Sequence, residues 1–209
     1  MNKGELMEMG TNRHRPIDRP TYHRDERISV WPLEAGHAPL LAEWMNDQDT
    51  TRFLFSGRSP TTEVMWRAQI ESICSRGKDF AFLFGDHDSR PIGFGGLWDV
   101  HPIDHKAEFR LFIGAEASRG IGLGTYLSCW LVQYGFTRLN LHRIWLGVNA
   151  LHMRAIIAYQ KAGFETEAVL RDEGTRDGIF YDVVRMGILR PRWEFDCYGH
   201  LPVRCLCGC

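Results

Sequence analysis

The run Arg119-Gly120-Ile121-Gly122-Leu123-Gly124-Thr125 holds residue types suited to binding a phosphate. It falls between an apolar, strand-like stretch, Phe109 to Ile113, and an amphipathic helical pattern from Thr125 to Leu139. A glycine-rich turn that opens a helix presents bare backbone N–H groups at the positive end of the helix dipole, where a phosphate or pyrophosphate is stabilised. Glycine also lets a ligand approach the backbone and permits positive φ. Spacing separates the phosphate motifs. The dinucleotide fingerprint needs G-x-G-x-x-G and the Walker loop needs G-K-[ST]; this run is G-x-G-x-G and has neither. The expected cradle is the amides of Gly120, Ile121, Gly122, Leu123, Gly124 and Thr125. Arg119 would add a charge and the Thr125 hydroxyl a hydrogen bond. Their structural alternatives are a solvated loop arginine and a plain helix cap.

Other chemistry-bearing types point to fewer possibilities. Cys129 sits among Leu127, Trp130 and Leu131, a core pattern, and no Ser-His-Asp spacing can be defended. Cys197, Cys205, Cys207 and Cys209 crowd the end of the chain, but C-x-C-x-C lacks the C-x-x-C gaps of structural zinc sites, so no metal is expected. Cys74 and Cys129, inside helical patterns, are expected to be buried thiols.

The elements that must position the glycine loop are legible as periodicity and punctuation. A strand is expected over Ile28 to Leu33 and a helix over Gly36 to Asn46, then a loop from Asp47 to Ser59. Thr61 or Thr62 caps a helix reaching Ser75. Phe80 to Phe84, Ile92 to Asp99 and Glu108 to Gly114 read as a meander, the first two joined by the turn Asp86-His87-Asp88-Ser89. After the glycine loop and its helix come a strand, Arg143 to Val148, and a second helix, Leu151 to Lys161. Gly163 ends that helix. Glu165 to Leu170 and Tyr181 to Leu189 close the chain as antiparallel strands around a loop, Arg171 to Gly178. This order gives an α+β fold: a mixed, mostly antiparallel sheet flanked by helices.

Two motifs in this order carry a resemblance. Arg119, Gly122 and Gly124 match an Arg/Gln-x-x-G-x-G/A loop. Val148, Asn149, Ala155, Ile156, Tyr159, Lys161, Gly163 and Phe164 match a later V-N…A-I…Y-x-K-x-G-F block. On these residues the chain resembles the GNAT superfamily of acyl-CoA N-acyltransferases, over roughly Ile28 to Pro191. Lys106 to Phe109, Tyr134 to Thr137 and Leu139 to Leu141 make it most similar to spermidine and ribosomal-protein N-acetyltransferases. The resemblance implies acetyl-CoA as co-substrate, with the acyl-pantetheine lying in a gap between the fourth and fifth strands of this reading. It also implies direct attack by a primary amine, Tyr159 as general acid, and assembly as a homodimer or larger homo-oligomer. Asn149 and His152 fall at coenzyme-side positions, His152 standing where many relatives carry asparagine. Acyl transfer to an amine also needs an oxyanion donor and a route for the amine proton. Backbone N–H groups near Phe112, Ile113 and Gly114 are candidates for the first. Glu108 is the candidate base. Period-2 alternation puts Glu108, Arg110 and Phe112 on the face opposite Ala107, Phe109, Leu111 and Ile113. The alternatives are a core aromatic at Tyr159 and a structural Glu108–Arg110 pair. A polyamine or other small cationic amine is the expected acceptor, from the acidity of Asp47, Asp49, Asp99, Asp104, Asp172, Glu173 and Asp177 in the connecting segments. A protein N-terminus, an aminoglycoside, an amino sugar, or a sensor of acyl-CoA without turnover remain open.

Composition bounds the rest. With 25 Lys and Arg against 26 Asp and Glu in 209 residues, nothing suggests a nucleic-acid partner. No apolar run approaches a membrane span and the start lacks a secretory h-region, so a cytoplasmic location is expected. Residues 1–27 read as an extension of low order, 28–191 as the catalytic domain, and 192–209 as a cysteine-containing tail.

Overall fold

Apolar side chains alternate along the strands and give one sheet two buried faces. In the computed structural model, residues 14–17 and 21–193 are described. The sheet has eight strands in the order β1-β2-β3-β4-β5-β6-β8-β7. These are β1 (His23–Arg24), β2 (Ile28–Pro32), β3 (Phe80–Asp86), β4 (Pro91–His101), β5 (Lys106–Ile113), β6 (Arg143–Asn149), β7 (Glu165–Arg176) and β8 (Ile179–Leu189). The helices are α1 (Ala38–Asn46), α2 (Gln48–Thr51), α3 (Glu63–Ser75), α4 (Leu123–Arg138) and α5 (Met153–Lys161). Every neighbouring pair of strands is antiparallel except β5 with β6. The expected mixed, mostly antiparallel α+β sheet is the fold observed.

Two cores lie on opposite faces. Val30, Phe82, Phe84, Leu97, Phe109 and Ile144 pack with Leu127, Leu131 and Phe136 of α4 and Ile156 of α5. On the other face Trp31, Leu83 and Phe112 meet Leu41 and Trp44 of α1 and Trp66 and Ile70 of α3. Thr62 accepts from the Met65 N–H and so starts α3 at the expected cap. Gly135 lets α4 approach the sheet: a Cβ there would lie 2.7 Å from Ile144 Cδ1 and 2.8 Å from Leu97 Cδ1. Gly163, at φ +94°, ends α5 as expected.

Several expectations need correction. Within the span read as a low-order extension, Tyr22 packs on Phe82, Trp130 and Tyr134, and β1 pairs with β2. This cover reaches Trp130, one of nine buried residues among the sixteen of α4, a helix expected to be amphipathic. The supposed loop Asp47 to Ser59 contains α2, because Asp47 accepts from the N–H groups of Asp49 and Thr50. The supposed loop Arg171 to Gly178 is mostly strand, and β7 meets β8 through a two-residue turn. Asp177 at φ +52° and Gly178 at φ +78° build that turn, the hairpin chemistry of a D-G pair. Cys74 is exposed, not buried, with its thiol donating to the Leu33 carbonyl; Cys129 is half-buried. Cys197, Cys205, Cys207 and Cys209 lie outside the described residues. Among the described residues no helix is long and apolar enough to cross a membrane.

Candidate active site

The site begins where the sheet stops being continuous. β5 and β6 pair only at Lys106–Arg143, Ala107–Ile144 and Glu108–Trp145. Past Glu108, β5 stays bonded to β4 as far as Ile113, and β6 stays bonded to β8 as far as Asn149. Each strand is held on its outer flank, so the inner edges part. A cleft of about 660 Å³ opens there, lined by residues 108–112 of β5 and 146–149 of β6. This is the gap expected between those two strands.

The parting strands leave backbone groups without ladder partners. The Gly114 N–H donates to the Ile92 carbonyl, on the β4 side. Strand N–H groups alternate in direction, so Phe112 also turns towards β4, and Leu111 and Ile113 turn towards the open edge. Of Phe112, Ile113 and Gly114, only Ile113 therefore presents its N–H to the gap, and Leu111 joins it. Phe112 lines the cleft, with its ring packed against Trp44 and Phe94. Gly114 has a packing role, because a Cβ would fall 2.1 Å from the Trp44 ring. One fixed β4–β5 pair would have been enough to find Leu111, but the sequence does not supply it.

The glycine loop crowns the carboxyl end of β5. Gly122 is the N-cap of α4 at φ +87°, with no side chain to satisfy the first amides of the helix, and Gly120 sits at φ +80°. A Cβ at either would meet nothing within 4 Å, so space lies open before the backbone. Ile121 is exposed, Leu123 is buried beneath the loop, and Gly124 and Thr125 are half-buried. This arrangement leaves bare backbone amides at a helix N-terminus, the geometry that suits a phosphate. It lies outside the lining of the cleft itself. Arg119 does not reach over the glycine loop. Its Nε donates to the Ile113 carbonyl at 3.2 Å, and its Nη2 donates to the Gly114 carbonyl and to Thr50 Oγ1, each at 2.8 Å. The guanidinium ties the loop to β5 and α2.

Tyr159, Glu108, Asn149 and His152 all line the cleft. Tyr159 stands edge-on to Phe109, with ring centroids 5.5 Å apart, and contacts Phe164. Burial pushes its phenol up to about 12, so it stays a proton donor at neutral pH. Glu108 Oε2 accepts from Arg110 Nη2 at 2.6 Å, and Arg110 lies over the Trp98 ring. The structural pairing weighed for Glu108 is thus formed, on a carboxylate that still faces the cleft. Asn149 Oδ1 accepts from the Leu151 N–H, which shapes the turn from β6 into α5. His152 stacks on Phe53 with ring centroids 4.6 Å apart. Burial first, then Arg52, Arg154 and Arg119, lower its pKa to about 4, so the ring is neutral.

The cleft lining differs from the acidic wall expected around an acceptor. Phe53, Phe55, Met65, Trp66 and Phe94 line it, and Glu108 is the one carboxylate among the described lining residues. The acidic side chains act elsewhere. Asp47 caps α2, Asp99 pairs with Lys78 and Arg76, and Asp104 pairs with Lys106. Asp49, Asp172, Glu173 and Asp177 are exposed and outside the lining. Phe53 and Phe55 lie between α2 and α3 on a segment with no periodicity to place them.

Comparison with known proteins agrees with this geometry. Residues 27–165 match the acetyltransferase (GNAT) domain family. The chain is 34% identical over 172 residues to the spermidine N(1)-acetyltransferase of Vibrio cholerae, covering 81% of this chain and 96% of that one. It resembles a crystal structure of spermidine N-acetyltransferase from Vibrio cholerae in complex with CoA and spermine. That match has a TM-score of 0.75 at 26% identity, covering 81% of this chain and 99% of that chain. A dodecameric structure of the Vibrio cholerae enzyme in an intermediate state matches at a TM-score of 0.69 and 26% identity, covering 81% and 97%.

Proposed function

The chain belongs to the GNAT acetyltransferase family, and from that premise we propose that it moves the acetyl group of acetyl-CoA onto a primary amine of a polyamine, within the cleft between β5 and β6. It is an acetyl-CoA-dependent N-acetyltransferase. The observation that carries the site is the three-pair limit of the β5–β6 ladder beside the glycine cradle of α4. The pyrophosphate would rest on the amides of residues 120–125, with the thioester reaching into the gap. Leu111 and Ile113 point N–H groups there, which suits the developing oxyanion. Glu108, which lines the cleft, would receive the amine proton, directly or through water. The neutral phenol of Tyr159 would protonate the departing thiolate. The similarity to enzymes named for spermidine, one of them solved with spermine, supports the polyamine acceptor. The dodecameric relative supports a homo-oligomer. Acetyl-CoA is multiply charged and does not cross membranes, which supports a cytoplasmic place of action.

One observation favours a second acceptor class. A single lining carboxylate amid aromatic side chains suits an amine on a larger apolar body, such as a protein N-terminus. The test is free-thiol release from acetyl-CoA with spermidine, spermine and N-terminal peptides. Spermidine-dependent release is expected. Release with peptides alone would move the acceptor. Coenzyme binding with no release for any amine would make the chain a sensor.

A further inference from the structure

One wall of the cleft is fixed by a clamp that none of the acetyl-transfer steps uses. Phe53 and Phe55 follow α2 on a segment with no further regular structure before α3. Arg176, the last residue of β7, reaches across to this segment with its side chain only 12% exposed. Its Nη1 donates to the Thr51 carbonyl at 2.9 Å. Its Nη2 lies 3.1 Å from Gln48 Oε1, 3.2 Å from the Gly57 carbonyl and 3.5 Å from Thr51 Oγ1. The segment curls tightly around this point. Thr51 is fully buried, and Gly57, at φ +76°, comes so near that a Cβ there would lie 2.6 Å from Thr51 Cβ. The neighbouring residue, Thr50, is held from the coenzyme side by Arg119. The segment in turn presents Phe53 to His152 and Phe55 to Tyr181. A planar guanidinium serves several oxygens in fixed directions, which an ammonium does not.

We propose that Arg176 is a positioning residue for the acceptor: by holding residues 48–57 from the β7–β8 hairpin, it sets the wall that the amine meets and leaves the coenzyme cradle alone. The link to the amine rests on the acetyl-transfer reading of the cleft; the clamp on the segment does not. Two measurements separate them. In Arg176→Ala, hydrogen exchange at the amides of residues 48–57 should quicken by about tenfold or more, while amides of α4 keep their protection. The KM for spermidine should rise about tenfold, with kcat and the Kd for acetyl-CoA changed by less than about threefold. Arg176→Lys should fall between Arg176→Ala and the parent chain. Should Arg176→Ala fail to fold, Gln48→Ala removes one acceptor at an exposed residue and should show the same exchange change, smaller in size. Unchanged exchange in the folded variants overturns the clamp. Quickened exchange with an unaltered KM overturns its role towards the amine. A parent chain that acetylates no amine, yet shows the exchange difference, sinks the acceptor reading and leaves the clamp standing.

Discussion

At Tyr159 the ring and the hydroxyl have separate tasks. The ring packs against Phe109 and Phe164, and the hydroxyl is the proposed acid. Tyr159→Phe should therefore keep its fold and its affinity for acetyl-CoA while kcat falls ~10²–10⁴-fold, read by pre-steady-state kinetics and calorimetry. A variant turning over at the parent rate would make Tyr159 a packing residue. His152 gives a pH prediction. Its folded pKa of about 4 lies below the ordinary 6.5, so the unfolded chain binds the extra proton between these values. Its contribution to stability is complete above pH 6.5 and is lost as pH falls through the window to about 4. Urea denaturation of the parent chain and His152→Gln at pH 7 and pH 4.5 checks this: the parent should lose more stability than the variant over that interval. Strand alternation alone brings Glu108 to notice, whereas Tyr159 stands out only through the resemblance, since its helical spacing also fits a core aromatic. The direction of Arg119 was not. It depends on Thr50, 69 residues away, on a helix the sequence does not announce.

The turn into α4 is where an element, not a side chain, makes the site. Gly122 holds φ +87° before open space, so Gly122→Asp would add strain and a negative charge where the pyrophosphate is proposed to lie. The affinity for acetyl-CoA should fall by about tenfold or more, measured by calorimetry on folded protein. Unchanged affinity would remove the loop from the coenzyme site. The start of α3 offers a plain stability test. Thr62→Ala deletes the bond to the Met65 N–H and should cost about 1 kcal/mol in denaturant melts, with coenzyme affinity intact. Most strands and helices were readable from period and caps. The β7–β8 hairpin was not read in full, although Asp177-Gly178 is a hairpin signal in its own right. Residues 171–176 carry no apolar side chain, so they show no apolar alternation. Their pairing is imposed by β8, which is laddered to β6 and carries buried Tyr181, Val183 and Met186.

At the scale of the whole chain, the hairpin carries Val169, Ile179 and Phe180 exposed at 54%, 72% and 64%. Such a surface fits self-association, and sedimentation velocity at micromolar concentration should show a dimer or larger species. A monomer alone would count against it. Beyond assembly, the three-pair seam between β5 and β6 has a consequence for how the chain folds and breathes. β2 to β5 close by near-neighbour pairings once α1 and α3 are in place, and β7 pairs with β8 as a hairpin. These two blocks meet through few ladder bonds and the crossing of α4. The chain should thus assemble as two halves, with the seam the weakest join because only three ladder pairs hold it. Acetyl-CoA bridging both edges would then behave as a removable ninth strand. At a hundredfold excess over Kd it should raise the unfolding free energy by about 2.7 kcal/mol. The largest slowing of hydrogen exchange should fall along β5 and β6, with little change in the β7–β8 hairpin.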